Sequence, residues 1–272
     1  MVVASTLVAA PPATTASKEP HVSPSADSRA QARPASEREL RADRILDAAE
    51  ELMVAWGHRK TTIDDVARRA GIGKGTVYLH FPTKERLFLT VVMRAQHTIV
   101  ERLLDIMRAD PEAARPSEVA RHVYLLQFDT PVVRTLYGNG GEELGAFSRT
   151  YPHLAKDLSE ARQSVLGDYW ALLDEHGVLG PQIPADQRFY AYCSTIVGHL
   201  LTEPLLAQQG FPVPDRAARA DLAARSIRLL LEQDVPEPAM RAVQTGTIAL
   251  FAALDQLLTG EIEEQKSVKR ST

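Results

Sequence analysis

Helical periodicity is the feature that most limits what this chain can fold into. From residue 84 onward apolar residues recur three and four positions apart, and the alternation typical of a β-strand is absent. Proline and glycine interrupt this pattern at intervals that leave segments of helix length between them. The sequence therefore predicts an all-α fold. The helices expected after residue 82 are 84–108, 117–128, 153–176, 185–209, 215–233 and 238–259, and Pro204 should kink the fourth of them.

The first 35 residues differ in composition from the rest. They are rich in Ala, Pro, Ser and Thr and contain no Phe, Tyr or Trp. Such a segment cannot bury enough apolar surface to offset its conformational entropy, so 1–35 is expected to be a disordered arm. Residues 2–10 are apolar, but no Lys or Arg precedes them as in a signal peptide, and we expect no export.

Residues 36–56 carry the signals of a first helix. Ser36 followed three residues later by Glu39 is a capping box, and Gly57 is a natural end for the helix. The apolar residues between them recur at helical spacing.

A helix-turn-helix is predicted directly after this first helix, at 61–81. Thr61 or Thr62 can cap a short helix, and Gly71 can supply the left-handed residue that ends it. Another short helix then begins after Gly73 and is stopped by Pro82. A short helix presented in this way can enter the major groove of DNA, which is about 12 Å wide.

The outward residues of the second short helix suit DNA. Lys74 places a positive charge at the start of the helix, Gly75 lets the backbone approach, and Thr76 can hydrogen-bond or touch a thymine methyl group. Tyr78 and His80 offer donors to phosphates. Each residue also has a simpler interpretation. Tyr78 could be a core residue and His80 an ordinary surface histidine. Thr61 and Thr62 could only cap a helix.

The charge distribution agrees with a small DNA-binding part on a larger body. The whole chain has a formal net charge of −4, but residues 37–94 hold 11 Lys and Arg against 9 Asp and Glu. Phosphate binding needs only a local basic face, because salt screens charges beyond roughly 10 Å. An acidic body is therefore compatible with DNA binding.

The stretch 61–88 resembles the DNA-binding domain of the TetR/AcrR family of bacterial regulators. The pattern is TTIDDVAxxAGIxKGTVYxHFPxKExLF, and the resemblance covers roughly 38–93. Gly73 departs from the family, which often has Ser or Thr there, so we leave it out of the phosphate-contact set. The resemblance implies base contacts by Lys74, Gly75, Thr76 and Leu79, and phosphate contacts by Thr61, Thr62, Tyr78, His80 and Lys84.

The resemblance also implies how the rest of the chain is organised. A helix-turn-helix domain at 36–83 would sit on a helical effector-binding and dimerisation domain at 84–235. An extra C-terminal helix at 236–260 and a disordered tail at 261–272 would follow. Family members are homodimers that read a palindromic DNA operator, usually as repressors, in the bacterial cytoplasm. The helices 185–209 and 215–233 would form the dimer interface.

A small-molecule effector is the expected partner of the body. Polar, ionisable and aromatic side chains within apolar helices are the candidates for its pocket, although each could equally be a packed or surface group. The candidates are His122, Tyr124, Phe128, Tyr169, Trp170, Cys193 and His199. Binding should move the helix 84–108, which joins the DNA-binding part to the body.

Two other functions compete with this one. An enzyme would need a recognisable site, and the sequence has no phosphate-binding glycine loop, metal-ligand spacing or nucleophile elbow. Cys193, the only cysteine, excludes an intramolecular disulfide and fits a reducing compartment. We expect no cofactor, no metal and no membrane segment, since no stretch approaches about 20 apolar residues. A DNA-binding regulator or architectural protein without an effector is the other alternative, which a closed core would favour.

Overall fold

The computed structural model describes residues 36–137 and 156–267, which form α-helices joined by short connections. Within these two ranges there is no β-strand, and the isolated bridge found there pairs Leu179 with Glu232. The all-α prediction is confirmed. In chain order the helices are α1 Glu37–Trp56, α2 Ile63–Ala70, α3 Lys74–His80, α4 Lys84–Ala109, a 3-10 turn Pro111–Ala114, α5 Pro116–Asp129, α6 Pro131–Tyr137, α7 Lys156–Glu175, α8 Ala185–Gln208, α9 Arg216–Leu231 and α10 Glu237–Ser267.

The starts of α1 and α2 follow from their capping residues. The Ser36 hydroxyl accepts a hydrogen bond from the Glu39 backbone N–H at 3.3 Å, and the Glu39 carboxylate accepts one from the Ser36 N–H at 2.6 Å. Thr62 and Asp65 repeat the arrangement at 3.2 and 3.1 Å. These reciprocal bonds satisfy backbone donors that a helix start leaves open, which confirms the predicted capping box at Ser36.

The helix α6 was not predicted, because Pro131 looks like a break in the sequence. In the structure Pro131 occupies the first position of α6, where its missing N–H has no partner to lose. The Thr130 carbonyl accepts from the Arg134 N–H at 2.9 Å and so begins the new helix. A proline that ends one helix here also starts the next.

One apolar core connects the two parts of the molecule. We call α1 to α3 the head and α4 to α10 the body. Ile45, Val66 and Val77 of the head are completely buried and belong to the same cluster as Leu103 and Phe251 of the body. A second cluster lies between α5, α8 and α9. The head is therefore packed on the body through α4 rather than tethered by a linker.

The C-terminal helix α10 is longer than predicted. It was expected to end near residue 260, yet it continues to Ser267, so the predicted tail at 261–272 is wrong for its first part. Ile262 is buried against Leu89 and Met93 of α4, and Lys266 forms an ion pair with Asp43 of α1 at 2.9 Å. These contacts with distant parts of the chain hold the last turns in helical form. Residues 268–272 and the predicted arm at 1–35 lie outside the described residues.

The helix α10 runs alongside α4 in the opposite direction. Its beginning lies near the far end of α4, where the Gln244 amide donates to the Met107 carbonyl at 2.7 Å. Its middle meets His97, whose ring lies 3.3 Å from the Asp255 carboxylate. Its last turns reach the head. One helix therefore passes from the body to the head beside α4.

Candidate nucleic-acid interface and effector cavity

A three-residue turn sets the angle between α2 and α3. Gly71 has φ of 68° and ψ of 34°, the left-handed conformation in which a side chain is strained. The Ile72 N–H donates to the Ala67 carbonyl at 3.0 Å, and Gly73 caps α3 without a side-chain hydrogen bond. The predicted helix-turn-helix geometry is confirmed.

The exposed face of α3 carries the residues predicted to read bases. Lys74, Gly75 and Leu79 are exposed, with Leu79 showing 61% of its surface, while Thr76 is half-buried. The opposite face is completely buried at Val77. We call the surface formed by Lys74, Gly75, Thr76 and Leu79 the recognition face. Its contacts with bases remain a prediction.

Lys74 forms an ion pair with the neighbouring helix α2. The ammonium of Lys74 lies 2.8 Å from the carboxylate of Asp64 on α2, and both side chains are more than half exposed. The hydrogen bond to Asp64 is the main cause that raises the pKa of Lys74, so the group stays charged. To reach DNA, Lys74 has to leave this partner.

Three of the predicted phosphate contacts remain available on the surface. Thr62 is exposed beside Asp65, and Tyr78 is half-buried against the core of the head. The ammonium of Lys84 donates to the Arg59 carbonyl at 3.3 Å and lies 5.7 Å from the centre of the Phe88 ring. Burial is the main cause that lowers the pKa of Lys84. These three residues could all position a phosphate.

The structure contradicts two of the predicted phosphate contacts, those of Thr61 and His80. Thr61 is completely buried, and its hydroxyl lies 3.2 and 3.0 Å from the carbonyls of Leu52 and Gly57, which it can serve as a donor. These hydrogen bonds stabilise the end of α1, and the Thr61 side chain cannot face DNA in this conformation. The prediction for Thr61 is wrong.

His80 faces inward although it lies on the recognition helix. It is 4% exposed and lies where the end of α10 packs on α3. Burial, followed by the nearby positive charges of Arg38 and Arg41, lowers the pKa of His80. Its neutral form is therefore favoured in the fold, and the prediction that it binds phosphate is wrong.

An apolar cavity of about 60 Å³ lies inside the body, between α4, α5, α7, α8 and α10. No charged side chain is among the residues that line it within the described part of the chain. The lining consists of Gln96, Ile99, Val100, Leu103, Val119, Val123, Val165, Leu166, Tyr169, Trp170, Tyr192, Phe251, Leu254 and Leu258.

Two of the seven predicted effector residues line this cavity, Tyr169 and Trp170. Tyr169 is held by a hydrogen bond from its hydroxyl to the Ala114 carbonyl at 2.8 Å. Trp170 also lines an outer groove of about 360 Å³, so its ring forms part of the wall between groove and cavity. The indole N–H of Trp170 is buried and has no acceptor among the described residues.

The other five predicted effector residues are not part of the cavity lining. Tyr124 packs in the second cluster, where the Arg219 guanidinium donates to its hydroxyl at 3.0 Å. Phe128 packs against Tyr124 with ring centres 5.0 Å apart and ring planes tilted by 50°. Cys193 is buried in the same cluster, and burial raises the pKa of its thiol to about 12. These three side chains therefore pack in the second cluster and do not line the cavity.

His122 and His199 also lie away from the cavity. His122 is within 3.8 Å of the Glu118 carboxylate one turn earlier on α5, and His199 is half-buried on α8. Burial is the main cause that lowers the pKa of both imidazoles.

Sequence reasoning missed the contributions of α4 and α10 to the cavity. Gln96 was the available signal, because it is a polar residue on the apolar stripe of α4 and is 7% exposed. Phe251, Leu254 and Leu258 of α10 resemble ordinary core residues in the sequence. Only the path of α10 along α4 brings them to the cavity.

Among residues 36–137 and 156–267, no helix combines the length and the apolar character needed to cross a bilayer. The same ranges contain no group of three or more His, Cys, Asp and Glu side chains placed to hold a metal ion.

A short exposed helix held behind a three-residue turn, on a helical body with an apolar cavity, is the arrangement expected of a helix-turn-helix DNA-binding protein. Residues 45–91 match the family model described as bacterial regulatory proteins, tetR family. The match covers α2, α3 and parts of α1 and α4, so the head is similar to the proteins of this family.

Curated relatives match mainly through the head. The regulator SrpR of Pseudomonas putida is 42% identical over 65 residues, which are 24% of this chain and 30% of SrpR. TtgW, an uncharacterized regulator of Pseudomonas putida, is 43% identical over 56 residues, which are 21% of this chain and 42% of TtgW. The chain thus spans less than half the length of these two relatives. The repressor BepR of Brucella suis is 28% identical over 175 residues, which are 61% of this chain and 81% of BepR.

A solved structure shares the fold. It comes from Mesorhizobium loti and is assigned to the TetR family of transcriptional regulators. The TM-score is 0.50 at 18% identity, with 73% of this chain and 100% of that chain covered. This likeness supports the all-α architecture with an N-terminal helix-turn-helix.

Proposed function

We propose that this chain is a homodimeric repressor that binds a palindromic DNA operator and releases it when a small, largely apolar effector fills the cavity. The exposed recognition face is the observation that carries the proposal. A helix of this width fits the major groove, and two such helices about 34–36 Å apart in a dimer read successive grooves. The name of BepR as a transcriptional repressor supports repression. This role places the protein beside the chromosome, in the bacterial cytoplasm.

Two groups of residues have different roles in DNA binding, one contacting bases and the other contacting phosphates. Lys74, Gly75, Thr76 and Leu79 contact base edges, because they form the exposed side of the helix that enters the groove. Thr62, Tyr78 and Lys84 contact phosphates on either side. Base contacts set sequence preference, whereas phosphate contacts set only affinity and register.

Selection of bound DNA from a random pool, followed by titration of variants, tests this division. Lys74→Gln or Thr76→Ala should relax preference at one base-pair position by about ten-fold, because a base contact is lost. Tyr78→Phe should instead weaken binding to all sequences alike. Uniform weakening by the first two variants, or a change at a single position with the third, contradicts the assigned roles.

Arg241→Gln is the matched control for Lys74→Gln. Arg241 is an exposed cation on α10 whose guanidinium lies 2.6 Å from the Glu237 carboxylate, much as Lys74 pairs with Asp64. It lies in the body, so its loss should leave both affinity and base preference unchanged.

The cavity lining indicates the chemistry of the effector. Its described walls carry no charge, so an ionic effector would lose its hydration without gaining a partner. The buried indole N–H of Trp170 gives an otherwise apolar molecule one donor to bind. We therefore infer an uncharged effector with a hydrogen-bond acceptor on a mainly hydrocarbon or aromatic frame.

The size of the cavity connects binding to movement. Ligand pockets usually measure about 300–1,000 Å³, whereas this cavity measures about 60 Å³. An effector of ordinary size must push the surrounding helices apart, and α4 is one of them. Because α4 begins next to α3, its displacement changes the separation of the two heads and lowers operator affinity, by about 5- to 150-fold for a typical coupling.

A regulator without any effector is the alternative, and the small cavity is the observation that favours it. A screen of neutral and ionic compounds by thermal shift, followed by operator titration with each ligand found, separates the two. Neutral apolar ligands that raise the melting temperature and weaken operator binding support the proposal. If no ligand changes operator affinity, the alternative holds.

A further inference from the structure

The last turn of α10 is built into the head. The Lys266 ammonium lies 2.9 Å from the Asp43 carboxylate on α1, and the same end of α10 packs on α3, whose His80 is 4% exposed. The end of α10 therefore contacts two of the three helices of the head. We call these two contacts the α10 clasp.

The burial of this segment is unusual for the end of a C-terminal helix. Lys266 is 9% exposed and Gln265 is 6% exposed, whereas long polar side chains rarely lose their solvent unless they are paired. Ile262, one turn earlier, is buried against Leu89 and Met93 near the start of α4. The end of α10 is therefore an interface with the head.

The clasp acts on the recognition helix itself. His80 is the last residue of α3, one turn after Thr76, and α3 has only seven residues. A helix this short moves as a unit, so the packing of α10 on α3 constrains the orientation of Lys74, Gly75 and Thr76. His80 and Lys266 do not need to touch DNA to influence how it is read.

The same helix also lines the cavity. Phe251, Leu254 and Leu258 of α10 form one of its walls, and the clasp lies two to four turns further along. A rigid helix transmits a shift of one end to the other. The hydrogen bond between His97 of α4 and Thr259 of α10, at 3.0 Å, joins the two helices between cavity and clasp.

We propose that Lys266 is a positioning residue for the recognition helix, and that α10 is a connection from the cavity to the head in addition to α4. The proposal rests on the function proposed above. Without effector, the clasp holds α3 in the orientation that fits the operator. An effector that expands the cavity displaces α10, opens the clasp and frees α3.

The clasp is tested by the direction in which two charge substitutions change operator affinity. Lys266→Met keeps the aliphatic stem and Asp43→Asn keeps the shape, but each removes the ion pair with the other. Each should weaken operator binding by about two- to five-fold, as expected for a partly exposed ion pair. If these groups only added to the field around DNA, loss of the lysine would weaken binding and loss of the aspartate would strengthen it.

The double variant and a control complete the experiment. Asp43→Asn with Lys266→Met should bind the operator no more weakly than either single variant, because both remove the same contact. Glu263→Gln is the control: Glu263 pairs with Lys266 at 2.7 Å within α10, and its loss leaves the clasp to the head in place. It should bind DNA like the unchanged protein.

A shortened chain ending at residue 261 removes the clasp and the Ile262 contact together. It should lose about ten-fold or more in operator affinity, and its remaining affinity should respond less to a cavity ligand found by the screen. Melting temperature and helix content are recorded for every variant to establish that the fold is intact.

The outcomes separate this inference from the proposed function. The clasp is overturned if Asp43→Asn and Lys266→Met change operator affinity in opposite directions. It is also overturned if the shortened chain folds and keeps both its operator affinity and its response to a cavity ligand. In either case the unchanged protein still binds and releases DNA. If the unchanged protein binds no operator, or if no cavity ligand releases it, the proposed function fails instead.

Discussion

At the scale of single residues, the environment of a side chain decides whether it can meet DNA. Lys74 and His80 lie on the same short helix, yet Lys74 is exposed and His80 is 4% exposed. Thr61 and Thr62 are adjacent and chemically identical, but one is completely buried and the other caps α2 at the surface. Residue type alone would have assigned all four to DNA.

The pairing of Lys74 with Asp64 leads to a prediction at this scale. Asp64→Asn removes a negative charge next to the recognition face and frees the Lys74 ammonium, which now lies 2.8 Å from the carboxylate. Affinity for DNA should rise by about two- to five-fold, and the gain should shrink at high salt because phosphate attraction is screened. Fluorescence anisotropy titrations at several salt concentrations measure it.

Glu237→Gln is the control for Asp64→Asn, because it frees an exposed arginine, Arg241, in the body instead. It should leave DNA affinity unchanged. An unchanged or lower affinity for Asp64→Asn would mean that Lys74 does not approach DNA.

At the scale of helices, contacts between distant segments complete what local signals leave open. The helix α5 has no side-chain cap of its own. Instead the Glu232 carboxylate, just after α9, accepts from the Ser117 backbone N–H at 2.6 Å, and the Arg115 guanidinium donates to the Gln233 carbonyl at 3.2 Å. Burial is the main cause that raises the pKa of Glu232. The start of α5 therefore depends on the end of α9.

Substitutions at Glu232 test this remote cap. Glu232→Ala leaves the buried Ser117 N–H without an acceptor and should lower the free energy of unfolding by about 1–3 kcal/mol. Glu232→Gln keeps an acceptor oxygen without the buried charge and should cost less than about 1 kcal/mol. Chemical denaturation of both variants measures the difference. Equal losses would show that the charge, rather than the acceptor, supports α5.

At the scale of the whole molecule, large apolar side chains remain exposed on the two helices expected to form the dimer. Tyr190 and Leu205 of α8 are 77% and 56% exposed, and Leu222 and Leu229 of α9 are 44% and 74% exposed. Exposed apolar patches of this kind mark protein–protein contacts. They support the proposal that α8 and α9 pair with a second copy of the chain.

A charge placed on this surface should separate the copies. Leu229→Glu should shift the protein to a monomer and abolish tight operator binding, because two heads are needed to read a palindrome. Leu229 is so exposed that the monomer should still fold. Leu257→Glu is the control, since Leu257 of α10 is 48% exposed but lies outside α8 and α9. Light scattering measures the molar mass of each variant and so distinguishes monomer from dimer. A Leu229→Glu variant that stays dimeric would place the interface elsewhere.

The helices, their caps and the helix-turn-helix could be read from the sequence because they depend on near neighbours. Spacings of three and four residues, the pair Ser36 and Glu39, and the left-handed Gly71 all act within one or two turns. The spacing from Thr61 to Phe81 was enough to predict the turn and the exposure of Lys74, Gly75 and Leu79. These features form wherever the local residues are present.

The cavity, the inward side of α3 and the full length of α10 depend on residues far apart in the chain. His80 is buried where the end of α10 packs on α3, and the Tyr124 hydroxyl accepts a hydrogen bond from Arg219 outside the cavity lining. Such pairs have no fixed spacing, and which of them form is settled by how the helices of residues 36–137 and 156–267 pack together. The sequence thus indicates a DNA-binding head, whereas the packing determines which of its residues remain free to meet DNA.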